Sequence, residues 1–500
     1  MSSAGQKGAV AKISPQLAMW THRAEELHAQ QALLYFRHDV GLPIDEKKLA
    51  KVEADSQGHF SAFLRDFGRE PEPIFLSSTN EVAQSRTYRL LLKLTELRTE
   101  KVVTSKYRYN GKPVNWGSWR QFAASTDDSA ARKEVFDGFV KKSSILAPVV
   151  AKRFAIAAET MKEFGTDPLN SYLKLEGVNY EQLSLFVDRL GRSLRPAFWE
   201  ALEEYSDEIL GREAEYYDDF YFFRARIFRK YAKRFPVKTD PITQITKTMA
   251  RMGLDARKVK VDSADRRGKS ASAFCAPIRI PKDVRISYRK SNPLEDFTGV
   301  FHEFGHGIDF SSIPERASYS DKFALPMGVA EIFSIFFEGL MHEPAYLKSE
   351  LGLGEKVVSD ILRRFRFVEL LFATFYSANS SMKLAFWQDE LSVDAASELY
   401  SELTEKYMGI RYPGGYWLLH HVMPDYFLYS PSYLLAAVRA FELRQAIVVR
   451  YGERYWEEKD SGKFVLELMR AGRSIDIERF SKLDVGGYVE SLSTGRRLDF

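Results

Sequence analysis

The chain has 500 residues, 45% hydrophobic and 14% aromatic, with 72 basic side chains against 68 acidic ones and a net charge of +4. That balance excludes a disordered or fibrous protein and gives neither nucleic acid nor a membrane a counter-charged surface to bind. The single cysteine, Cys275, excludes an internal disulfide and a cysteine-rich metal site.

Taken in chain order, the opening "MSSAGQKGAVAKISPQLAMW" lacks the apolar core of a signal peptide. No later stretch has the run of about 18 apolar residues that spans a bilayer, so a cytoplasmic location is expected. "AEELHAQQALLYFRHDVG" and "EQLSLFVDRLGRSLRPAFWEALEEYSDEIL" repeat apolar residues every three or four positions, which predicts amphipathic helices. The aromatic run "EYYDDFYFFRARIFRKYAKRF" (215–235) is too dense for one stripe, and predicts a helix buried on more than one side with its rings in the core. Composition shifts after "KTMARMGLDARK". From Val259 to Tyr288 the short alternating runs "VKV", "IRI" and "VRISY", separated by Gly268, Pro277 and Pro281, predict a small β-sheet. A boundary near 240–256 then separates a mainly helical region, 1–250, from a second region, 251–500, which the sheet opens. The fold class expected is mainly α.

The sheet leads into "SNPLEDFTGVFHEFGHGIDF", where Ser291 or Asn292 can cap a helix and Pro293 suits its first turn. Leu294, Phe297, Phe301, Phe304 and Ile308 form its buried stripe. Residues four apart share a helix face, so His302 and His306 can aim ring nitrogens at one point, as a zinc ion requires. Glu303 lies beside that point, placed to take a proton from water. A catalytic zinc site has three protein ligands, and Asp309 and Ser312 occupy the positions where a long-spaced metalloprotease motif would need Gly and a third His. The third ligand is therefore expected from a second helix, "LPMGVAEIFSIFFEGL" (325–340), on which Glu331, Ser334 and Glu338 share a face. Glu331 stands between Ala330 and Ile332, and burial of its charge calls for a cation.

"HEFGH" followed after 24 residues by "EIFSIFFE" resembles the thimet oligopeptidase, neurolysin and oligoendopeptidase F family of zinc peptidases. The resemblance covers about residues 265–440. It implies one zinc ion per chain on His302, His306 and Glu331, with Glu303 as general base, and two largely helical lobes flanking a deep substrate channel beside the motif helix. "HVMPDYFLYSPSYLLAAV" (421–438) resembles the family's substrate loop, which implies that Tyr433, with His421, stabilises the oxyanion and that Tyr426 touches substrate. "KSASAFCAPIRI" resembles the strand along which the family lays its substrate, here at Ala273 and Phe274. Where the family carries a further histidine this chain has Asp309, and a carboxylate contact to one of the histidines is expected there.

Short peptides cut at internal bonds are the expected substrates. A carboxypeptidase or dipeptidase on the same fold would need a cationic group for the terminal carboxylate, with Arg411, Arg279 and Arg285 as candidates. An inactive peptide-binding relative is the other alternative, and the intact Glu303 argues against it.

Overall fold

The computed structural model describes residues 14–222, 227–232, 235–270, 272–420 and 427–494, and the fold is mainly α. Helix α1 (Pro15–Asp39) starts where Ser14 accepts a hydrogen bond from the amide of Leu17, with Pro15 in its first turn. A tight turn, Asn110 (φ 50°) and Gly111 (φ 76°), joins β1 (Val103–Tyr109) to β2 (Lys112–Asn115) in an antiparallel hairpin. Two successive positive φ values are the conformation that Asn-Gly adopts most readily, so the hairpin was signalled by "YNGK". Helix α2 (Pro168–Glu176) precedes the long α3 (Tyr180–Ile209), whose buried face carries Leu183, Val187, Leu190, Leu194 and Phe198.

The run at 215–235 is not the single helix expected. Tyr216–Asp218 is a 3₁₀ turn, Asp219–Tyr221 a turn of α-helix, and Arg229–Ala232 another. Asp218 bends its carboxylate back to the amide of Glu215, 3.0 Å away, and side-chain bonds of this kind compete with helix propagation. The rings do lie in the core, with Tyr217, Phe220, Tyr221, Phe228 and Tyr231 buried.

The expected sheet forms over Val259–Asp262 (β3), Phe274–Arg279 (β4) and Asp283–Ser287 (β5). Its order is β3-β5-β4, with β3 parallel and β4 antiparallel to β5, so β4 is an edge. Helix α4 (Pro293–Ser312) lies on this sheet, capped by Asn292, whose side chain accepts from the amide of Leu294 at 3.2 Å. The five stripe residues of α4 are all buried. Gly307 faces β3 and β5, where an added Cβ would come within 2.9 Å of Val259. Gly305 faces the next helices, and a Cβ there would stand 2.4 Å from the carbonyl oxygen of Phe333. These two glycines let α4 approach the sheet on one side and a helix backbone on the other.

That neighbouring segment is divided in two, α5 (Met327–Ala330) and α6 (Ile332–Glu338), with Glu331 at the joint. Downstream lie α7 (Glu355–Gln388), packed against α3, and α8 (Ser430–Tyr451), packed against both α5 and α6. One hydrophobic cluster runs from Ala83 to Leu492 and so passes through both halves of the chain. Among the described residues no helix is long and apolar enough to cross a membrane.

Candidate active site

Glu331 has φ −88° and ψ −6°, the sparsely populated region between helix and strand where many active-site residues sit. The joint turns its carboxylate towards α4. One oxygen, Oε2, stands 3.4 Å from Nε2 of His302 and 3.3 Å from Nε2 of His306. Ser334, one turn further on, donates its hydroxyl to the same oxygen at 2.8 Å. A ligand atom from each of His302, His306 and Glu331 lies within 4.8 Å of the other two, the spacing of a set that can close around one ion.

The remaining nitrogens test whether a metal fits. Nδ1 of His302 is 2.9 Å from Oε2 of Glu338, so a ring that donates there keeps the lone pair of Nε2 free for a cation. The donor set, two imidazoles and a carboxylate, is that of a catalytic zinc site. Nδ1 of His306 is buried without a hydrogen-bond partner among the described residues. The contact expected from Asp309 is not made. Asp309 is buried, and burial pushes its carboxyl well above the usual carboxylate range. The thiol of Cys275 is raised by burial, then by the charges of Glu303 and Asp309, which makes it a poor nucleophile.

Burial alone would raise the carboxyl of Glu331, but the two imidazoles outweigh it and hold the group well below its ordinary value. Burial drives the pKa of Glu303 up, partly countered by His302 and His306. A carboxylate raised in this way is a stronger base than one in water.

A cavity of about 630 Å³ opens on these groups. His302, Glu303, Glu331, Glu338, Ala273 and Tyr433 all line it. Phe274, by contrast, turns its ring onto Phe36 of α1 at 6.0 Å and is not part of the wall. Alternation along an extended strand sends neighbours to opposite sides, which separates these two residues. Tyr433 projects from the first turn of α8, its ring 5.3 Å from that of Tyr376 and 5.7 Å from that of Tyr429. Burial raises its hydroxyl pKa, with Tyr376 and Glu331 adding to the effect, so it stays a proton donor at neutral pH. His421 and Tyr426 lie outside the described residues.

Three contributors were not singled out from the sequence as site residues. Ser334 and Glu338 share the helical face of Glu331, and that face was the available signal. Tyr376 had none, since α7 meets Tyr433 only in the folded chain. The arginines considered for a terminal carboxylate lie elsewhere: Arg411 pairs with Glu405 at 2.9 Å, Arg279 with Glu26 at 2.7 Å and Arg285 with Asp283 at 2.7 Å, and none lines the cavity.

No family model matches the sequence. No curated protein matches it either. Solved structures do. PZ peptidase A with a bound inhibitor superposes with a TM-score of 0.64 at 18% identity, over 96% of this chain and 92% of that one. A protein assigned as oligoendopeptidase F gives 0.67 at 15% identity, over 98% and 94%. Another so assigned, from Bacillus anthracis, gives 0.63 at 15%, over 97% and 92%. Over nearly its whole length the chain has the fold of the PZ peptidase and oligoendopeptidase F structures.

Proposed function

We propose that the protein is a zinc-dependent oligopeptidase that hydrolyses internal bonds of short, unstructured peptides. The observation that carries this reading is the convergence of His302, His306 and Glu331 on one point in the wall of a cavity that Glu303 also lines. The likeness in fold to peptidases supports the same class of reaction.

His302, His306 and Glu331 would hold a zinc ion, which would supply the Lewis acidity that activates water and polarises a peptide carbonyl. Glu338 orients His302 through Nδ1, and Ser334 fixes the carboxylate of Glu331. Glu303 takes the proton from the attacking water and returns it to the leaving amine, a role its raised pKa suits. Tyr433 donates its hydroxyl to the oxygen on which negative charge develops, and His421 is proposed to assist it. Tyr426 and Ala273 are proposed to hold the peptide. Phe274 contributes through its backbone alone, because its ring packs on Phe36.

Residues 1–250 are proposed to form one wall of the substrate channel, with residues 251–500 as the catalytic region. A peptide must extend along the β4 edge to reach the triad, which folded chains cannot do. The test is a length series that shares one cleavable core, analysed by mass spectrometry, with reduced casein as a long unstructured control. Peptides of roughly 5–20 residues are expected to be cut internally and casein poorly. Casein cleaved as fast as the short peptides would replace an oligopeptidase with a general protease, and trimming from one end alone would replace it with an exopeptidase.

A further inference from the structure

A second buried cluster, made of groups the mechanism does not use, lies behind the site. Glu176 is the last residue of α2, and its side chain is 2% exposed. Its Oε1 accepts the amide of Gly328 at 2.9 Å and the hydroxyl of Ser432 at 2.7 Å. Its Oε2 faces Nη1 of Arg439 at 3.5 Å, and that nitrogen donates to the carbonyl of Gly328 at 2.9 Å. The hydroxyls of Tyr172 and Ser432 are 2.9 Å apart. One carboxylate thus ties α2 to α5 and to α8. There is no slack at Gly328, where an added Cβ would lie 2.5 Å from Oε2 of Glu176.

The two tied positions are next to the chemistry. Gly328 precedes Glu331 by three residues, and Ser432 directly precedes Tyr433. A metal ligand and an oxyanion donor act together only at a fixed separation, and these two come from segments far apart in the chain. α5 is a single turn of helix ending at the irregular joint of Glu331, so it cannot hold that ligand rigidly by itself.

We propose that Glu176 is a positioning residue which sets the distance between the carboxylate of Glu331 and the hydroxyl of Tyr433 by bonding Gly328 and Ser432 with the same oxygen. The proposal rests on the zinc-peptidase reading. A 1 Å misplacement of reacting groups costs on the order of a hundredfold in rate, and here it acts in the transition state rather than in substrate binding.

The variants separate this role from plain stability. Ser432→Ala cuts only the branch to α8. Its zinc content is expected to stay at one per chain and its KM to change little, while kcat falls about tenfold and affinity for a phosphinic peptide transition-state analogue falls by the same factor. Glu176→Ala frees both branches, so kcat falls further and a chelator strips zinc faster than from wild type. Glu176→Gln keeps an oxygen that accepts from both partners and should recover most of the activity that Glu176→Ala loses. Asp218→Asn, which breaks a buried ion pair remote from the cavity, is the comparator for lost stability without lost positioning. Wild-type kcat in Ser432→Ala and Glu176→Ala, or a loss in kcat that merely follows melting temperature through Asp218→Asn, overturns the proposal. If Glu176→Ala does not fold, Ser432→Ala decides. A wild-type protein without chelator-sensitive peptidase activity refutes the underlying reading and the proposal with it, whereas an active wild type with unaffected variants refutes the positioning role alone.

Discussion

Asp218 and Glu331 are both carboxylates sunk among aromatic rings, yet their surroundings differ in kind. The oxygens of Asp218 accept from Arg132 at 2.7 Å, from Arg212 at 2.8 and 2.9 Å and from the amide of Glu215 at 3.0 Å. Every lone pair there has a donor, and the cluster closes on itself. Glu331 has one firm donor, Ser334, and otherwise faces two ring nitrogens at 3.3 and 3.4 Å, longer than a normal hydrogen bond to a charged group. A structural charge cluster spends its partners on itself. A site for a cation leaves several acceptors aimed at one shared point.

The sharpest break of that contrast is at the open cluster. Glu331→Ala removes a ligand and is expected to lose zinc and activity together, measured by metal analysis and peptide turnover. Full occupancy and turnover in this variant would mean that the three groups do not share an ion. Glu303→Gln removes the base but no ligand. Zinc should remain at one per chain while kcat falls by several orders of magnitude.

Tyr433→Phe comes next in size. It removes one oxygen and keeps the ring contacts with Tyr376 and Tyr429. Loss of one oxyanion donor costs about a hundred- to a thousandfold in kcat, with KM little changed. An unchanged kcat would assign the donor to another group in the cavity wall.

How much of this contrast a sequence can carry depends on the range of the interaction. The triad was legible because His302 and His306 are one turn apart, and because Glu331 is a charge set in an apolar run. The cap at Asn292 and the sheet at 259–287 were legible for the same local reason. The fit around Gly305 and Gly307 was not, since each glycine answers to a backbone or side chain met only after folding. The expected bond from Asp309 is not made: Asp309 is buried, and Nδ1 of His306 has no hydrogen-bond partner among the described residues. At 215–235 the density of rings marks core, but not one helix, because Asp218 is held by Arg132 from far along the chain and by Arg212 six residues before it, and the two fix a turn in its place.

The closed cluster gives the third break. Arg132 and Asp218 are almost fully buried, with side chains 1% and 0% exposed. Removing one member of such a pair costs about 3–5 kcal/mol, because the other is left buried and uncompensated. Asp218→Asn should therefore lower stability in chemical denaturation by that order, with kcat per folded molecule within about twofold of wild type. A loss of catalysis at full folding would tie this cluster to the site.

The most gradual effect is expected one residue along, where Asp219 stands beside Asp218 without a guanidinium at ion-pair distance among the described residues. Its carboxylate accepts from Tyr416 at 3.0 Å and from the amide of Phe220 at 2.5 Å, and Arg120, Asp218, Tyr400 and Tyr412 are among its charged and titratable neighbours. Burial raises its pKa to about 7, with the bonds from Phe220 and Tyr416 opposing the rise and the charge of Asp218 adding to it. In the unfolded chain the same group titrates near 3.9. The folded protein therefore holds a proton that the unfolded chain has released. The stabilisation is complete below pH about 4 and is lost as pH rises through about 7, with a limiting slope of about 1.4 kcal/mol per pH unit. Asp219→Asn keeps a carbonyl oxygen for the amide of Phe220, puts a donor NH2 where Oδ2 faced the hydroxyl of Tyr416, which can accept from it, and has no proton to lose. Its stability relative to wild type should grow between pH 4 and pH 8 in urea titrations at fixed ionic strength. A difference that stays constant across that window would show that Asp219 is ionised in the fold, and that Arg120 balances its charge as the two arginines balance Asp218.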